Sequence, residues 1–199
     1  MKYSMIALTQ LNADQTKKLA FLHHRALHSL LTDLGAPFLE RYYQLARADS
    51  SVIGVCALDA QGNPLGWAVG SPAPGQVARR MSEARGWFII QMLRALVTNP
   101  KTIWQAFLSS RLASVVMEPG AIELTYIGVD ESARKKGLGR DLLGAFIEAA
   151  REKRFSSVEL SVEAGNAAAI ALYTRAGFRV MRSQIEGAFN RHRMELILT

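Results

Sequence analysis

The sequence predicts an α/β fold in which a mixed, mostly antiparallel sheet carries helices on both faces. The first observation is a pair of strand–turn–helix units. The apolar, β-branched run Ala121–Val129 leads through a turn into an amphipathic helix, and the strand Ser157–Val162 leads into a helix over Ala167–Ala176. The second observation is a hairpin signal, the string AQGNP, between apolar runs at Ser51–Asp59 and Leu65–Gly70.

The other elements follow from apolar spacing and from turn residues. A helix with apolar residues at helical spacing begins at Asn12 or Asp14, runs through Leu31 and is ended by the Gly35-Ala36-Pro37 break. The remaining predicted elements are a first strand at Met5–Leu8, a second helix at Pro37–Ala48, a helix at Arg140–Arg154 and final strands at Arg179–Ile185 and Arg191–Leu198.

Composition indicates one globular domain over residues 1–199. Hydrophobic residues make up 49% and charged residues 21% of the 199 residues, which is not the composition of a disordered chain. The formal charge of +7 suits a partner that carries phosphates, but the basic residues are spread along the chain, so no nucleic acid is expected. Cys56, the only cysteine, lies in an apolar strand pattern and is expected to be buried.

The amino-terminal segment turns polar after one short apolar stretch, so it does not read as a signal peptide. No apolar run approaches the ~20 residues of a transmembrane helix. A cytoplasmic location is therefore expected.

The turn Arg134-Lys135-Lys136-Gly137-Leu138-Gly139 predicts an anion site, most simply for a phosphate. A strand that feeds such a turn directs backbone N–H groups and the positive end of the next helix at one point, and the glycines let a large anion approach. Two better-known phosphate-binding motifs are excluded by the residues present. A P-loop string is absent, and Leu142 stands where a dinucleotide fingerprint needs its third glycine. An ordinary connection with a solvated basic loop stays open.

A second segment supports the first. Asn166 can cap the helix that follows the strand Ser157–Val162, and Gly177 can end it in the left-handed conformation. Tyr173 then projects a phenol from a face otherwise lined by alanine, near the point where the two strands should diverge.

These elements resemble the GNAT superfamily of N-acetyltransferases over roughly Ile122–Val180. The matching features are the strand ELTYIGV, the R-x-x-G-x-G turn with its helix, and a second half with Asn166, Ala169, Tyr173 and Gly177-Phe178. The family often has proline directly after the strand, where this chain has Asp130-Glu131.

The resemblance implies a sheet splayed open at its middle strands and an acetyl-CoA co-substrate, with no metal. It implies that Tyr173 protonates the departing thiolate. The residues that it places against the cofactor are the strand Ile127, Gly128 and Val129 beside the pantetheine arm, then Lys135, Lys136, Gly137, Leu138, Gly139 and Arg140 around the pyrophosphate with Arg134 opening the turn, and Asn166.

Acetyl transfer to an amine requires a base, a donor for the developing oxyanion and an acid for the thiolate. Glu123, in the motif strand, is the preferred base, and a surface-facing strand carboxylate is the competing interpretation. Tyr173 is the acid, against a purely structural core tyrosine. Weaker candidates for base or acceptor contact are Tyr126, Glu118 and Glu163.

Four histidines are expected to have structural or surface roles. His24 and His28 would lie one turn apart on the first long helix beside His23, but no third metal ligand accompanies them, so an exposed face or acceptor-site wall is favoured. His192 in the final strand is expected to be structural.

The segment 71–119 is predicted to be a mainly helical insertion of roughly two helices, broken at Asn99-Pro100, with a surplus of large apolar side chains. Three interpretations stay open: a helical hairpin packed on the sheet, a wall of the acceptor pocket or a homodimer interface, and a peripheral membrane contact through 86–117. The apolar residues concerned are Trp87, Phe88, Ile90, Met92, Leu93, Leu96, Ile103, Trp104, Phe107 and Leu108.

The function that follows is an acetyl-CoA-dependent N-acetyltransferase acting by direct attack of a primary amine, with a small-molecule or sugar- or lipid-linked acceptor. The alternatives are a protein or peptide N-acetyltransferase and a non-catalytic acyl-CoA-binding module.

Overall fold

The computed structural model describes residues 2–98, 118–186 and 189–198, and these form one seven-stranded sheet with helices packed on it. The strands are β1 (Ser4–Ala7), β2 (Ile53–Leu58), β3 (Pro64–Ser71), β4 (Ala121–Val129), β5 (Ser157–Glu163), β6 (Arg179–Glu186) and β7 (Phe189–Ile197). The helices are α1 (Ala13–Ala26), α2 (Leu30–Leu34), α3 (Ala36–Ala48), α4 (Pro74–Glu83), α5 (Arg85–Thr98), α6 (Leu138–Glu152) and α7 (Ala167–Arg175).

The sheet has the strand order β1-β2-β3-β4-β5-β7-β6, and its pairs are antiparallel except for β4 with β5. The β2–β3 hairpin turns at Asp59, whose carboxylate accepts hydrogen bonds from the N–H groups of Gln61 and Asn63, while Gly62 takes the positive φ of +79°. The predicted mixed, mostly antiparallel sheet is therefore confirmed.

Strands β4 and β5 pair over only three residues and then part. Their register runs from Ala121 opposite Ser157 to Glu123 opposite Glu159, although β4 continues to Val129. The gap between the unpaired ends of the two strands is called the cleft below, and the pair Glu123–Glu159 is its vertex. The splayed middle strands expected from the sequence are confirmed.

Each face of the sheet has its own apolar core. On one face, β2–β5 pack against α6 through residues such as Leu142, Phe146 and Leu160. On the other, β2 and β3 pack against α1, α3 and α4 through residues such as Leu39 and Trp67. Helices thus cover both faces, as predicted, and Cys56 is fully buried in the second core.

The first long helix is shorter than predicted, and the expectation that it runs through Leu31 is wrong. It ends at Ala26, because Leu27 turns to an extended conformation with φ −136° and ψ 125°. Ser29 then caps the separate helix α2 by accepting a hydrogen bond from the N–H of Thr32 at 3.2 Å. The side chain of Ser29 forms hydrogen bonds with nearby backbone groups and so starts a new helix. The spacing of apolar residues alone does not reveal this effect.

The segment 71–119 begins with the two helices α4 and α5, which separate at Ala84. Helix α4 is held on α3 by an ion pair in which Arg80 Nη1 lies 2.7 Å from Asp49 Oδ2. Trp87 and Phe88 contact the ring of Phe38 at centroid distances of 5.4 and 6.0 Å. These two aromatic residues therefore belong to the second core.

Met92 also packs against the second core, whereas other apolar residues of this segment are exposed or not described. Ile89, Ile90, Leu93 and Val97 on α5 are exposed. The predicted break at Asn99-Pro100 and the side chains of Leu96, Ile103, Trp104, Phe107 and Leu108 lie outside what the structure describes. Within the ranges that it does describe, none of the helices combines the length and apolar character needed to cross a bilayer.

Candidate active site

The cleft is lined on one side by backbone groups of β4 that no strand opposes. Asp130 donates its N–H to Leu65 on β3 at 2.8 Å, and N–H directions alternate along a strand. Ile127 and Val129 therefore direct their N–H and C=O groups away from β3, into the cleft. The backbone groups of residues 127 and 129 are thus placed where a ligand in the cleft could pair with them.

Gly128 faces a different neighbour. It lies opposite Trp67 on β3, and a Cβ at this position would come within 2.4 Å of the indole ring. Glycine is therefore required here by packing against Trp67, and the contribution of this residue to the cleft is to keep β4 in place.

A β-bulge in β4 lies next to the vertex. Tyr126 pairs with Val69 and Leu124 with Gly70, so Thr125 has no partner in the register. Because of this extra residue, Glu123 and Tyr126 lie on the same face of the sheet, while Leu124 belongs to the opposite core. The bulge thus places a carboxylate and a phenol side by side near the vertex.

The turn between β4 and α6 begins next to the end of the cleft. Gly137 caps α6 with a φ of +86°, and Lys135 also has a left-handed φ of +59°. Arg134 folds back on the strand, where its Nε donates to the carbonyl of Val129 at 3.2 Å. Lys136 donates from Nζ to the carbonyl of Ser132 at 2.7 Å. The predicted glycine-rich turn at a helix N-terminus is therefore present.

Gly139 is a glycine that the fold itself does not require, which suits a close contact with a bound anion. Its φ is not positive, and an added Cβ would meet only ordinary contacts, at 3.7 Å to Val129 and 3.8 Å to Leu172. Neither the backbone nor the packing demands glycine, so the space above it is open to a bound group. Leu138 is 1% exposed, so its side chain belongs to the core and only its backbone can face a ligand.

Arg140 is an exposed cation at the start of α6. Its side chain is 81% exposed, and its Nε lies 3.4 Å from Oδ1 of Asp141. The pair is loose and solvated, so it costs little to redirect the guanidinium to another anion. The helix N-terminus and the basic side chains around it can together hold a pyrophosphate.

Helix α7 flanks the other side of the cleft. Asn166 caps it, with Oδ1 accepting from the N–H of Ala169 at 3.1 Å. Tyr173 is 7% exposed and lies 5.8 Å from Phe178 between ring centroids. Burial raises the pKa of Tyr173 to about 12, so the phenol stays protonated at neutral pH. No described residue hydrogen-bonds its hydroxyl, which leaves the proton available to a ligand.

Glu123 lies at the vertex, on the face opposite α6. Its side chain is 14% exposed, and Oε2 lies 2.8 Å from Nη2 of Arg193. The pKa of Tyr126 is raised to about 12, first by burial and then by the charge of Glu123, whereas Arg191 acts in the opposite direction. The carboxylate therefore faces a pocket of buried phenols and cations, and the surface-facing interpretation of Glu123 is wrong.

Sequence reasoning missed Glu159 and Arg193. The guanidinium of Arg193 donates from Nε and Nη2 to Oε2 of Glu159 at 3.0 and 2.8 Å. Arg193 is 4% exposed and Glu159 is 8% exposed. The available signal was a charged residue inside an apolar strand, as in SVELSV, since such a charge must find a partner when the strand is buried.

Of the three weaker candidates, Tyr126 lies beside Glu123. The other two, Glu118 and Glu163, are exposed. His28 follows the end of α1, so it is not one helical turn from His24 on a common face, and both are exposed. His192 accepts or donates a 2.8 Å hydrogen bond with Ser183, which fits a structural role. Within the described ranges, no three His, Cys, Asp or Glu side chains come together as metal ligands would.

His23 is the exception among the histidines, because it is fully buried between aromatic rings. Its Nδ1 lies 2.7 Å from the hydroxyl of Tyr43, and its Nε2 lies 3.1 Å from Ser29 Oγ. The ring of Tyr126 lies 4.7 Å away between centroids. Burial, helped by the charge of His24, lowers the pKa of His23 from 6.5 to about 3. The imidazole is therefore neutral throughout the physiological range.

This lowered pKa predicts an acid-sensitive stability. Below pH 6.5 the histidine is protonated in the unfolded chain but stays neutral in the folded protein. The contribution of His23 to the free energy of unfolding is therefore complete above pH 6.5 and is lost as the pH falls towards about 3. Replacing His23 by Gln should reduce the drop in urea midpoint between about pH 7.5 and about pH 5 relative to the unmodified protein. An equal drop in both proteins would contradict a neutral, buried His23.

The sequence and the fold are similar to known acetyltransferases. A sequence model of the Acetyltransferase (GNAT) family matches residues 21–178. Mycothiol acetyltransferase of Clavibacter michiganensis is 43% identical over 63 residues, which are 32% of this chain and 21% of that protein. L-methionine sulfoximine/L-methionine sulfone acetyltransferase of Pseudomonas aeruginosa is 44% identical over 52 residues, which are 26% of this chain and 30% of that protein. The chain thus matches less than a third of the length of either relative.

Solved structures share the whole fold at low identity. The yncA protein of Salmonella typhimurium, solved with acetyl-CoA, superposes with a TM-score of 0.65 at 16% identity, covering 100% of this chain and 95% of that one. Ribosomal-protein-alanine N-acetyltransferase of Brucella melitensis gives a TM-score of 0.63 at 21% identity, covering 98% of this chain and 99% of that one.

Proposed function

We propose that this chain, which belongs to the acetyltransferase (GNAT) family, transfers an acetyl group from acetyl-CoA to the primary amine of a small molecule. The proposal rests on the parting of β4 from β5 and on the glycine turn at the N-terminus of α6, into which the unpaired end of β4 leads. One long ligand with an anionic end and a polar, extended arm fits both features at once.

The cofactor-binding residues follow from this placement. The pyrophosphate lies over Gly139 at the start of α6 and meets Lys135, Lys136 and Arg140. The pantetheine arm takes the place of a strand in the cleft and pairs with the backbone of Ile127 and Val129. The other residues assigned to this side are Arg134, Gly137 and Leu138 in the turn and Asn166 at the start of α7, while Gly128 supports the strand through its packing on Trp67.

The reaction is a direct attack. The acceptor amine, once deprotonated, forms a C–N bond with the thioester carbon. The nitrogen then releases a second proton to solvent, and the C–S bond breaks to give the amide and the thiolate. The backbone N–H of Ile127 or Val129 stabilises the carbonyl oxygen as it gains negative charge. Tyr173 protonates the departing thiolate and regains its proton from solvent, which its protonated state at neutral pH permits.

Glu123 accepts the proton of the acceptor ammonium, directly or through a water molecule. It lies on the face opposite α6, so the amine approaches from the side of α1 and α3. Tyr126 and the α4–α5 segment lie on this same face. The acceptor site is accordingly assigned to this side, and the pyrophosphate to the other end of β4.

The small-molecule assignment rests on what the partly matching relatives are named for. One is named for mycothiol and the other for L-methionine sulfoximine and L-methionine sulfone. The test is the amine-dependent release of CoA thiol from acetyl-CoA over a panel of amino acids, their sulfone and sulfoximine analogues, amino sugars, polyamines and peptides. Release with small amines, and product masses carrying one acetyl group, are expected. Release with peptides alone would favour a protein acetyltransferase, and binding of acetyl-CoA without release would favour a non-catalytic module.

Replacing Glu123 by Gln should lower the rate about 10²-fold near neutral pH, because the amine loses its base. The loss should shrink as the pH rises, since free amine then forms without help. Glu163→Gln, which changes an exposed glutamate at the end of β5, is the matched control and should leave the profile unchanged. A pH–rate profile of Glu123→Gln that parallels the unmodified enzyme would assign the base elsewhere.

A further inference from the structure

We propose that Arg193 is a positioning residue for the acceptor side of the cleft, where it holds Glu123 ionised by sharing one positive charge between Glu123 and Glu159. The inference rests on the proposed function, because it concerns the carboxylate assigned as base. Arg193 would act on the acceptor through its contacts with the glutamates.

The side chain of Arg193 contacts a glutamate on each of two strands, and this cluster of Arg193, Glu123 and Glu159 is called the clamp below. Arg193 projects from β7, and its Nη2 lies 2.8 Å from Oε2 of both Glu123 and Glu159. Its Nε makes a second contact of 3.0 Å to Glu159. One guanidinium therefore joins β4 to β5 through side chains.

The clamp lies at the vertex and not at an arbitrary place in the sheet. Glu123 and Glu159 are the last residues that β4 and β5 pair before they part. Three charged groups buried together are expensive, and an apolar cluster of similar volume would hold two strands at least as well. The ionic cluster is therefore better explained by what it does for the carboxylate that faces the acceptor.

The cluster of Arg193, Glu123 and Glu159 carries two negative charges and one positive charge. Burial alone would lower the pKa of Arg193, but Glu123 and Glu159 raise it, so the cation persists. Among the described residues, other groups near Glu123 and Tyr126 include the phenol of Tyr42 from α3, the cation Arg191 from β7 and, behind Tyr126, neutral His23 from α1.

Two substitutions should move the protonation of residue 123 in opposite directions. In Glu159→Gln the charge of Arg193 is no longer divided between two glutamates, so the pH midpoint for protonating residue 123 should fall by about one unit. In Arg193→Met two adjacent buried carboxylates lose the cation that they share, and the midpoint should rise by about one to three units. A residue needed only for packing would not produce shifts of opposite sign.

The experiment is a pH titration of glutamate carboxyl 13C signals, with the signal of residue 123 assigned from its loss in Glu123→Gln. It needs no substrate, so it reports on Arg193 even if no amine on the panel is acetylated, an outcome that would count against the proposed function alone. In active protein, the acidic limb of the kcat/KM profile should shift in parallel with the 13C midpoint.

Glu159→Gln decides the matter if Arg193→Met does not fold, because it keeps the arginine and is nearly isosteric. Arg193→Lys keeps the charge and should hold the midpoint closer to that of the unmodified protein than Arg193→Met does. A midpoint that stays fixed or rises in Glu159→Gln would overturn the proposal.

Discussion

Replacing Gly139 by Glu should weaken the binding of CoA by about 100-fold or more. The added side chain enters the space above the first turn of α6, where the pyrophosphate is assigned, and brings a negative charge to it. Losing one or two charge-assisted hydrogen bonds and a favourable helix end costs about 3 kcal/mol, which corresponds to that factor. Calorimetric titration of CoA measures it.

The substitution should not unfold the protein. Gly139 is not held at a positive φ, its Cβ would meet only ordinary contacts, and a glutamate is favourable in the first turn of a helix. Gly144→Glu is the matched control: it lies on the same helix, and an added Cβ there meets nothing within 4 Å. Equal CoA affinity in both variants would remove the pyrophosphate from this turn.

Replacing Tyr173 by Phe should lower turnover by about 10²-fold with little change in acetyl-CoA affinity. The ring that packs on Phe178 remains, so the variant loses only the hydroxyl. That hydroxyl is the proposed acid for the thiolate, and general acids contribute at least about 10²-fold. The measurement is kcat under conditions in which acetyl transfer limits the rate, checked by single-turnover kinetics.

A control separates loss of an acid from loss of any buried phenol. Tyr43→Phe removes a hydroxyl that is fully buried on the other face of the sheet, where it bonds His23 at 2.7 Å. It should reduce stability by about 1 kcal/mol, the value of one buried hydrogen bond, and leave turnover close to that of the unmodified enzyme. Unchanged turnover in Tyr173→Phe would make this tyrosine a core residue only.

Local patterns predicted the parts of the site that are built locally. The strand Ala121–Val129, the positive φ at Gly177 and the helix cap at Asn166 each depend on residues within a few positions of one another. Glycine and capping residues act through the backbone nearby, so their effects can be predicted from sequence. The same holds for the β2–β3 hairpin, where Asp59 and Gly62 form the turn.

Residues that act across the sheet could not be placed in this way. Arg193 reaches Glu123 only because β7 lies beside β5, and that order depends on how distant strands pair. Gly128 was placed beside the pantetheine arm with its strand neighbours, but it packs against Trp67, which comes from the neighbouring strand β3. From the sequence, His23 could not be distinguished from the other histidines near it, because the aromatic rings that surround it come from distant elements.

The proposed position of acetyl-CoA is along β4 and over the start of α6. Backbone amide NMR of the labelled protein tests this position most directly. Titration with acetyl-CoA should shift the amide signals of Ile127, Val129 and Gly137–Arg140 strongly. Signals from the exposed groove beside Lys17 and Phe21 on α1, on the opposite face from α6, should stay in place. Shifts confined to that groove, with the signals of β4 and the glycine turn unmoved, would contradict the account.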